Sequence, residues 1–175
     1  MSGVTLTSHA YRQLVTEARR AEDGNETGGL LLGGDLGMGP GFVIRHCGDP
    51  GPNAVRQPAN FTRDLEHSTM LAECAAEIDG SVWIGEWHTH LAELPMPSAY
   101  DLLTYRALLA NPEIAFPRLL SLIVLTAENG GWSPPRVFAW SISANSVRQL
   151  LIVIENDPQF PEEGIGERAE HHGGP

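Results

Sequence analysis

The chain has 175 residues, enough for one domain with a substantial core, and its 42% hydrophobic content is that of an ordinary globular protein. A net charge of −11 argues against a nucleic-acid partner, because gripping phosphate backbones takes clustered Lys and Arg. Cys47 and Cys74 are too few for a disulfide framework or an all-cysteine metal site, which fits a reducing cytoplasm.

The first residues, Met1 to Thr7, carry no basic segment followed by an apolar run, so no secretory signal is expected there. Ala10, Leu14 and Ala18 recur every four residues and predict a helix over Thr7 to Ala21. Gly28 to Leu32 reads as a short apolar strand, the glycine-rich Gly33 to Gly41 as a turn, and Phe42 to Cys47 as a returning strand. Gly48-Asp49-Pro50-Gly51-Pro52 suits neither ladder nor helix. A second helix is predicted over Arg63 to Asp79, with Met70, Leu71, Cys74, Ala75 and Ile78 on its apolar side and Gly80 as its stop.

Ser81 to His88 then predicts a strand, Leu91 to Pro97 a loop, and Ser98 to about Ala110 a third helix. The continuous apolar run Leu119 to Thr126 predicts a central buried strand, too short to span a bilayer. Glu128 to Pro135 reads as a turn; Val137 to Ile142 and Val147 to Ile154 are further strand candidates, with a helix as the alternative for the last. Residues 1–156 are expected to form a single α/β (mixed α+β) domain, a mixed sheet flanked by about three helices. The acidic Pro- and Gly-containing tail 157–175 is expected to be mobile.

The segment from Trp87 to Asp101 carries the chemistry. His88 and His90 stand two apart at a strand end, so their imidazoles point the same way. Asp101, in the first turn of the next helix, is folded back by the intervening loop as a third ligand. Three ligands with a fourth position open to water mark a catalytic rather than a structural zinc site. Amide hydrolysis also needs a carboxylate to move protons and a donor for the developing oxyanion. Glu26, just before the Gly28-Gly29 strand, is the candidate acid/base, and Ser98 is the candidate oxyanion donor. Ser98-x-x-Asp101 is also a capping-box pattern, and both roles are compatible.

On these residues the sequence resembles the JAMM (JAB/MPN) metalloprotease family. The resemblance is carried by Glu26, then His88-x-His90, seven residues, Ser98, two residues and Asp101, with Gly-Gly-Leu-Leu-Leu-Gly after Glu26. It covers most of the chain, from about Thr7 to Ile154, and the Gly-Asp-Pro-Gly-Pro-Asn and Gly-Glu-Trp-His-Thr-His segments look like the single-domain bacterial branch. The resemblance implies an MPN-like domain with one catalytic Zn2+ on His88, His90 and Asp101, Glu26 as general acid/base and Ser98 on the tetrahedral intermediate. It implies cleavage after the C-terminal glycine of a ubiquitin-like protein, with E1-like and E2-like partners and antiviral defence operons as the setting. Leu91 stands where many members have proline after the second histidine.

Two other functions stay open from sequence: a protease trimming a ubiquitin-like or sulfur-carrier precursor to Gly-Gly, and a non-catalytic MPN-type scaffold. Glu86 shares the His88 strand face and is a candidate neighbour of the site. Glu93 reads as a surface charge, Cys47 as a small core residue, and Trp83, Trp87, Trp132 and Trp140 as core or groove-lining. Asp49, Asn53 and Asp64 lie near the irregular segment, and His171-His172 in the tail.

Overall fold

A strand that the sequence reading did not anticipate opens the domain. In β1 (Gly3–Thr7), Val4 and Leu6 are buried and alternate with partly exposed neighbours. The computed structural model describes residues 3–35, 41–91, 93–114, 116–126 and 134–155. Trp132, His171, His172, residues 128–133 of the expected turn and the tail from 157 onward lie outside them.

The Thr7 hydroxyl accepts the Ala10 N–H at 3.2 Å and caps α1 (Ser8–Ala18), whose Ala10, Leu14 and Ala18 are buried as the periodicity predicts. The expected helix to Ala21 is corrected at its end: α-helical pairing stops at Ala18 and a 3₁₀ turn, Arg19–Asp23, follows. Then come β2 (Gly28–Asp35) and β3 (Gly41–Cys47). Gly33 to Asp35 are therefore strand, not turn, because they pair with Ile44, Val43 and Phe42 of β3, and Gly33 also pairs with Val82.

Two three-residue strands, β4 (Val55–Gln57) and β5 (Asn60–Thr62), form a separate hairpin. Helix α2 (Leu65–Asp79) is capped by Asp64, which also accepts from the Asn53 side chain at 2.9 Å, and it ends at left-handed Gly80. Its apolar side differs from the expectation. Ala75 is buried against Leu30 and Leu32, with Leu71 and Ala72 beside it, but Met70 and Ile78 are 51% and 74% exposed and Cys74 is exposed. At 100° per residue those three fall on the flank away from the sheet.

β6 (Val82–His90), α3 (Ala99–Ala110), β7 (Arg118–Leu125), β8 (Arg136–Ser143) and β9 (Ser146–Glu155) complete the fold. The mixed sheet closes into a barrel in the order β1-β3-β2-β6-β7-β8-β9, with β1 pairing parallel to β9. One face packs with α1 around Leu31, Phe42, Ile44, Trp87 and Leu122. The opposite face carries α2 on β2 and β6, and α3 on β7 and β8 through Tyr105, Leu119 and Ile142. No described helix is long and apolar enough to cross a membrane.

One irregularity aims the site. Between β2 and β6 the register passes from Leu31↔Gly85 to Leu32↔Trp83, skipping Ile84. Gly85 adopts φ 155°, and a Cβ there would meet the Leu120 carbonyl oxygen at 1.8 Å. This bulge turns Ile84 and Trp87 into the α1-side core and leaves Trp83 on the other face. Glu86, His88 and His90 thereby share the face that opens toward α3.

Candidate metal centre

Strand β6 runs two residues further than the sequence predicted, to His90, so both histidines belong to a regular strand. Gly28 pairs opposite His88, where a Cβ would sit 2.2 Å from the Trp87 carbonyl oxygen and 2.8 Å from His88 Cβ; only glycine lets β2 pass this close. Behind the histidines, Thr89 points the other way and is fully buried. Its hydroxyl accepts the Thr27 N–H at 2.9 Å, its N–H donates to the Thr27 carbonyl at 2.8 Å, and the Thr27 hydroxyl donates to buried Glu17 at 3.0 Å.

The loop after β6 returns the chain so that α3 starts beside the histidines. His88 Nε2 and His90 Nε2 lie 3.0 Å apart, and Asp101 Oδ2 stands 3.4 Å and 3.5 Å from them. All three donor atoms lie within 4.8 Å of one another. The edges of a tetrahedron around zinc with ordinary bonds are about 3.3 Å. The donor set and spacing therefore fit a single zinc ion. His90 Nδ1–H donates to the Leu94 carbonyl at 2.9 Å, which fixes the tautomer with Nε2 facing the centre.

Electrostatics agree with this geometry. Burial opposes ionisation of Asp101, but hydrogen bonds from His88 and His90 outweigh it and hold the carboxyl far below its usual range. Burial likewise opposes the charged form of His90, and Asp101 with the Leu94 carbonyl overcomes it and raises the pKa. Glu26 is raised by burial, with the two histidines pulling the other way. It lines the same cleft of about 580 Å³ as His88, His90, Ser98 and Asp101.

Ser98 is the N-cap of α3. Its Oγ accepts the Asp101 N–H at 3.2 Å and its N–H donates to Asp101 Oδ2 at 2.6 Å, and its hydroxyl also helps hold the Asp101 carboxyl ionised. Glu86 lines the cleft paired with Arg63, and Glu93 is an exposed partner of Arg136 at 3.1 Å. Cys47 is buried, its thiol held protonated by burial. Trp87 is buried with its indole N–H on the Gly48 carbonyl, and half-buried Trp140 donates to the Pro95 carbonyl at 2.9 Å, tethering the loop over the centre.

The sequence reading missed four residues that hold this site from behind, Arg56, Glu17, Thr27 and Thr89, and did not foresee the bond from Trp140 to the loop. Period-two alternation placed Thr89 opposite the histidines and offered a signal for it. Arg56 offered none, since its partners lie about 30 residues away, at |i−j| of 30 to 36.

A closed mixed barrel presents two strand histidines and a helix-start aspartate to a cleft, with a glutamate lining it, a donor set that could hold one metal ion. The profile of a family described as prokaryotic homologs of the JAB domain matches residues 7–143, and the chain belongs to that family. Two curated relatives are each named CD-NTase/cGAS isopeptidase. One, from Escherichia coli, is 31% identical over 107 residues, covering 60% of this chain and 64% of that one. The other, from Vibrio cholerae serotype O1, is 27% identical over 112 residues, covering 63% and 70%. The match thus spans just under two thirds of the first relative's length. Among solved structures, protein DSY2949 from Desulfitobacterium hafniense superposes with a TM-score of 0.63 at 25% identity, over 88% of this chain and 94% of that one. A protein from Salinibacter ruber shares the fold with a TM-score of 0.52 at 19% identity, over 98% and 100%.

Proposed function

We propose that this chain is a zinc-dependent isopeptidase that cleaves after the C-terminal glycine of a bacterial ubiquitin-like protein and frees it from its targets. The observation that carries this reading is the convergence of His88 Nε2, His90 Nε2 and Asp101 Oδ2 beside Glu26 in one cleft. The names of the two relatives support the bond type and suggest a CD-NTase or cGAS-like enzyme as the target; the antiviral-defence setting with E1-like and E2-like partners is part of this proposal and follows from the family resemblance alone. The two free thiols suit a cytoplasmic setting.

His88, His90 and Asp101 would hold the ion. When bound, zinc lowers the pKa of a water to about 7 and polarises the scissile carbonyl. Glu26 takes the proton released by the attacking water and delivers it to the leaving amine; its raised pKa suits both transfers. The Ser98 O–H, in the same cleft, donates to the oxygen on which negative charge develops. The cleft wall opposite α3, from Pro58 to Thr62 on the β4–β5 hairpin, holds the extended glycine end in line.

The test is Glu26→Gln, which retains zinc and loses cleavage of a lysine-linked conjugate; full activity in that variant would overturn the mechanism. Running a linear precursor fusion beside the conjugate separates deconjugation from precursor trimming, and preference for the fusion would favour the latter.

A further inference from the structure

Glu26 lies outside every helix and strand, between the 3₁₀ turn that ends at Asp23 and the start of β2. Gly24, with φ 80°, reverses the chain just before it. A catalytic carboxylate on such a segment needs external anchors, because a misplacement of about 1 Å can cost on the order of 10²-fold in rate. The anchors come from β4. The Arg56 guanidinium donates from Nε to the Glu26 carbonyl at 3.1 Å, from Nη2 to the Asn25 and Arg20 carbonyls at 3.2 and 3.3 Å, and in a fork to Asp23 at 2.8 and 3.1 Å. The next residue, Gln57, accepts the Glu26 N–H at 2.9 Å. Both main-chain groups of Glu26 are therefore held by consecutive residues of one short strand, and its side chain alone enters the cleft.

We infer that Arg56 is the positioning residue for Glu26, and that the β4–β5 hairpin both walls the cleft and sets the base that works in it. The inference rests on the reading of Glu26 as proton carrier. Arg56 is suited to this by its planar fork of five N–H donors in fixed directions, which span residues 20 to 26 in one grip; a lysine ammonium has three donors and no fork. The Asp23 carboxylate holds the guanidinium from its outer side, where its pKa falls because the Asn25 N–H and Arg56 outweigh what burial it has. The clasp between Thr27 and Thr89 fixes the following residue, so Arg56 governs the one stretch of this segment that the barrel ladder leaves unpaired.

The experiment uses the full chain, loaded with zinc, with kcat, KM, zinc stoichiometry and thermal midpoint measured together. Arg56→Ala is expected to lower kcat about 10²-fold with KM within about threefold and zinc stoichiometry unchanged. Arg56→Lys is expected to remain low. Millimolar guanidinium is expected to restore about tenfold of the Arg56→Ala loss, and methylammonium none, since the fork and not the charge is missing. A kcat within twofold of the parent overturns the inference, as does a loss that tracks zinc release and melting without guanidinium rescue. If Arg56→Ala does not fold, Asp23→Asn decides: it leaves the Glu26 bond but loosens the guanidinium, and an unchanged kcat overturns the inference. Glu26→Gln serves as the control. If that variant is active, the reading of Glu26 has failed; if it is dead while Arg56→Ala is normal, only the positioning inference has failed.

Discussion

Asp101 Oδ2 accepts the Ser98 N–H at 2.6 Å and, with the same oxygen, faces His88 Nε2 at 3.4 Å. One carboxylate thus closes a helix cap and completes the donor set, so one residue serves both the start of α3 and the candidate metal centre. Ser98→Ala removes the hydroxyl but keeps this N–H. It is expected to cost about 1 kcal/mol of stability as a lost cap and about 10²–10³-fold in kcat as a lost oxyanion donor. Zinc stoichiometry should stay intact, and melting, metal analysis and steady-state kinetics on one preparation check all three.

Asp101→Asn keeps an oxygen for the cap but gives up the anionic ligand. Helix α3 is expected to survive while zinc is lost on dialysis and activity with it. Circular dichroism unchanged beside an emptied metal assay is the expected pair of readings; retained zinc would show that two histidines suffice.

His90 must be neutral to offer Nε2 to a metal, and in the metal-free protein Asp101 and the Leu94 carbonyl raise its pKa despite burial. Protons therefore compete with zinc at higher pH than they would for an ordinary imidazole. Chelator competition across about pH 5.5 to 7.5 is expected to show affinity falling steadily toward acid. A flat profile would place the controlling proton elsewhere.

Glu17 supplies a stability prediction with a definite sign. Burial raises its folded pKa, although the Thr27 hydroxyl and Arg20 favour the charged form. The folded state then holds this proton more tightly than the unfolded chain does. Its contribution is fully present below the ordinary glutamate value and is lost as pH rises toward the folded one. Glu17→Gln keeps an acceptor for Thr27 and removes the ionisation. The stability difference, variant minus parent, should grow with pH over that window in urea titrations from about pH 4 to 8. A constant difference would mean that Glu17 folds with an ordinary pKa.

Trp140→Phe deletes the N–H that holds the Pro95 carbonyl. About 1 kcal/mol of stability is expected to go with it, and kcat/KM should fall several-fold while zinc binding persists, because His90 keeps its own bond to Leu94. Equal losses in zinc affinity would mean that the loop and the ligands move as one body.

Much of this was legible in the chain. Period two placed His88 and His90 together, the Ser98-x-x-Asp101 spacing announced the cap, and Ala10, Leu14 and Ala18 announced the buried stripe of α1. What escaped was non-local or short. β1 is five residues whose partners, β3 and β9, lie far along the chain. β4 and β5 are three residues each, with Pro58 between them, too short for alternation to register. Met70 and Ile78 looked like core because hydrophobicity says nothing of which flank of a helix meets the sheet. The Arg56 anchor joins residues that only the folded chain brings near.

The seam between β1 and β9 has a consequence for how the molecule is made. Strand β1 emerges from the ribosome early and finds β3, but its other neighbour, β9, is the last of the described strands to be synthesised. Until Ser146–Glu155 is out, β1 and β8 each present an open row of backbone donors and acceptors, a template for pairing with another nascent chain. Ribosomes stalled just before β9 should therefore yield sticky, aggregation-prone products even though every residue of the metal centre has already been translated.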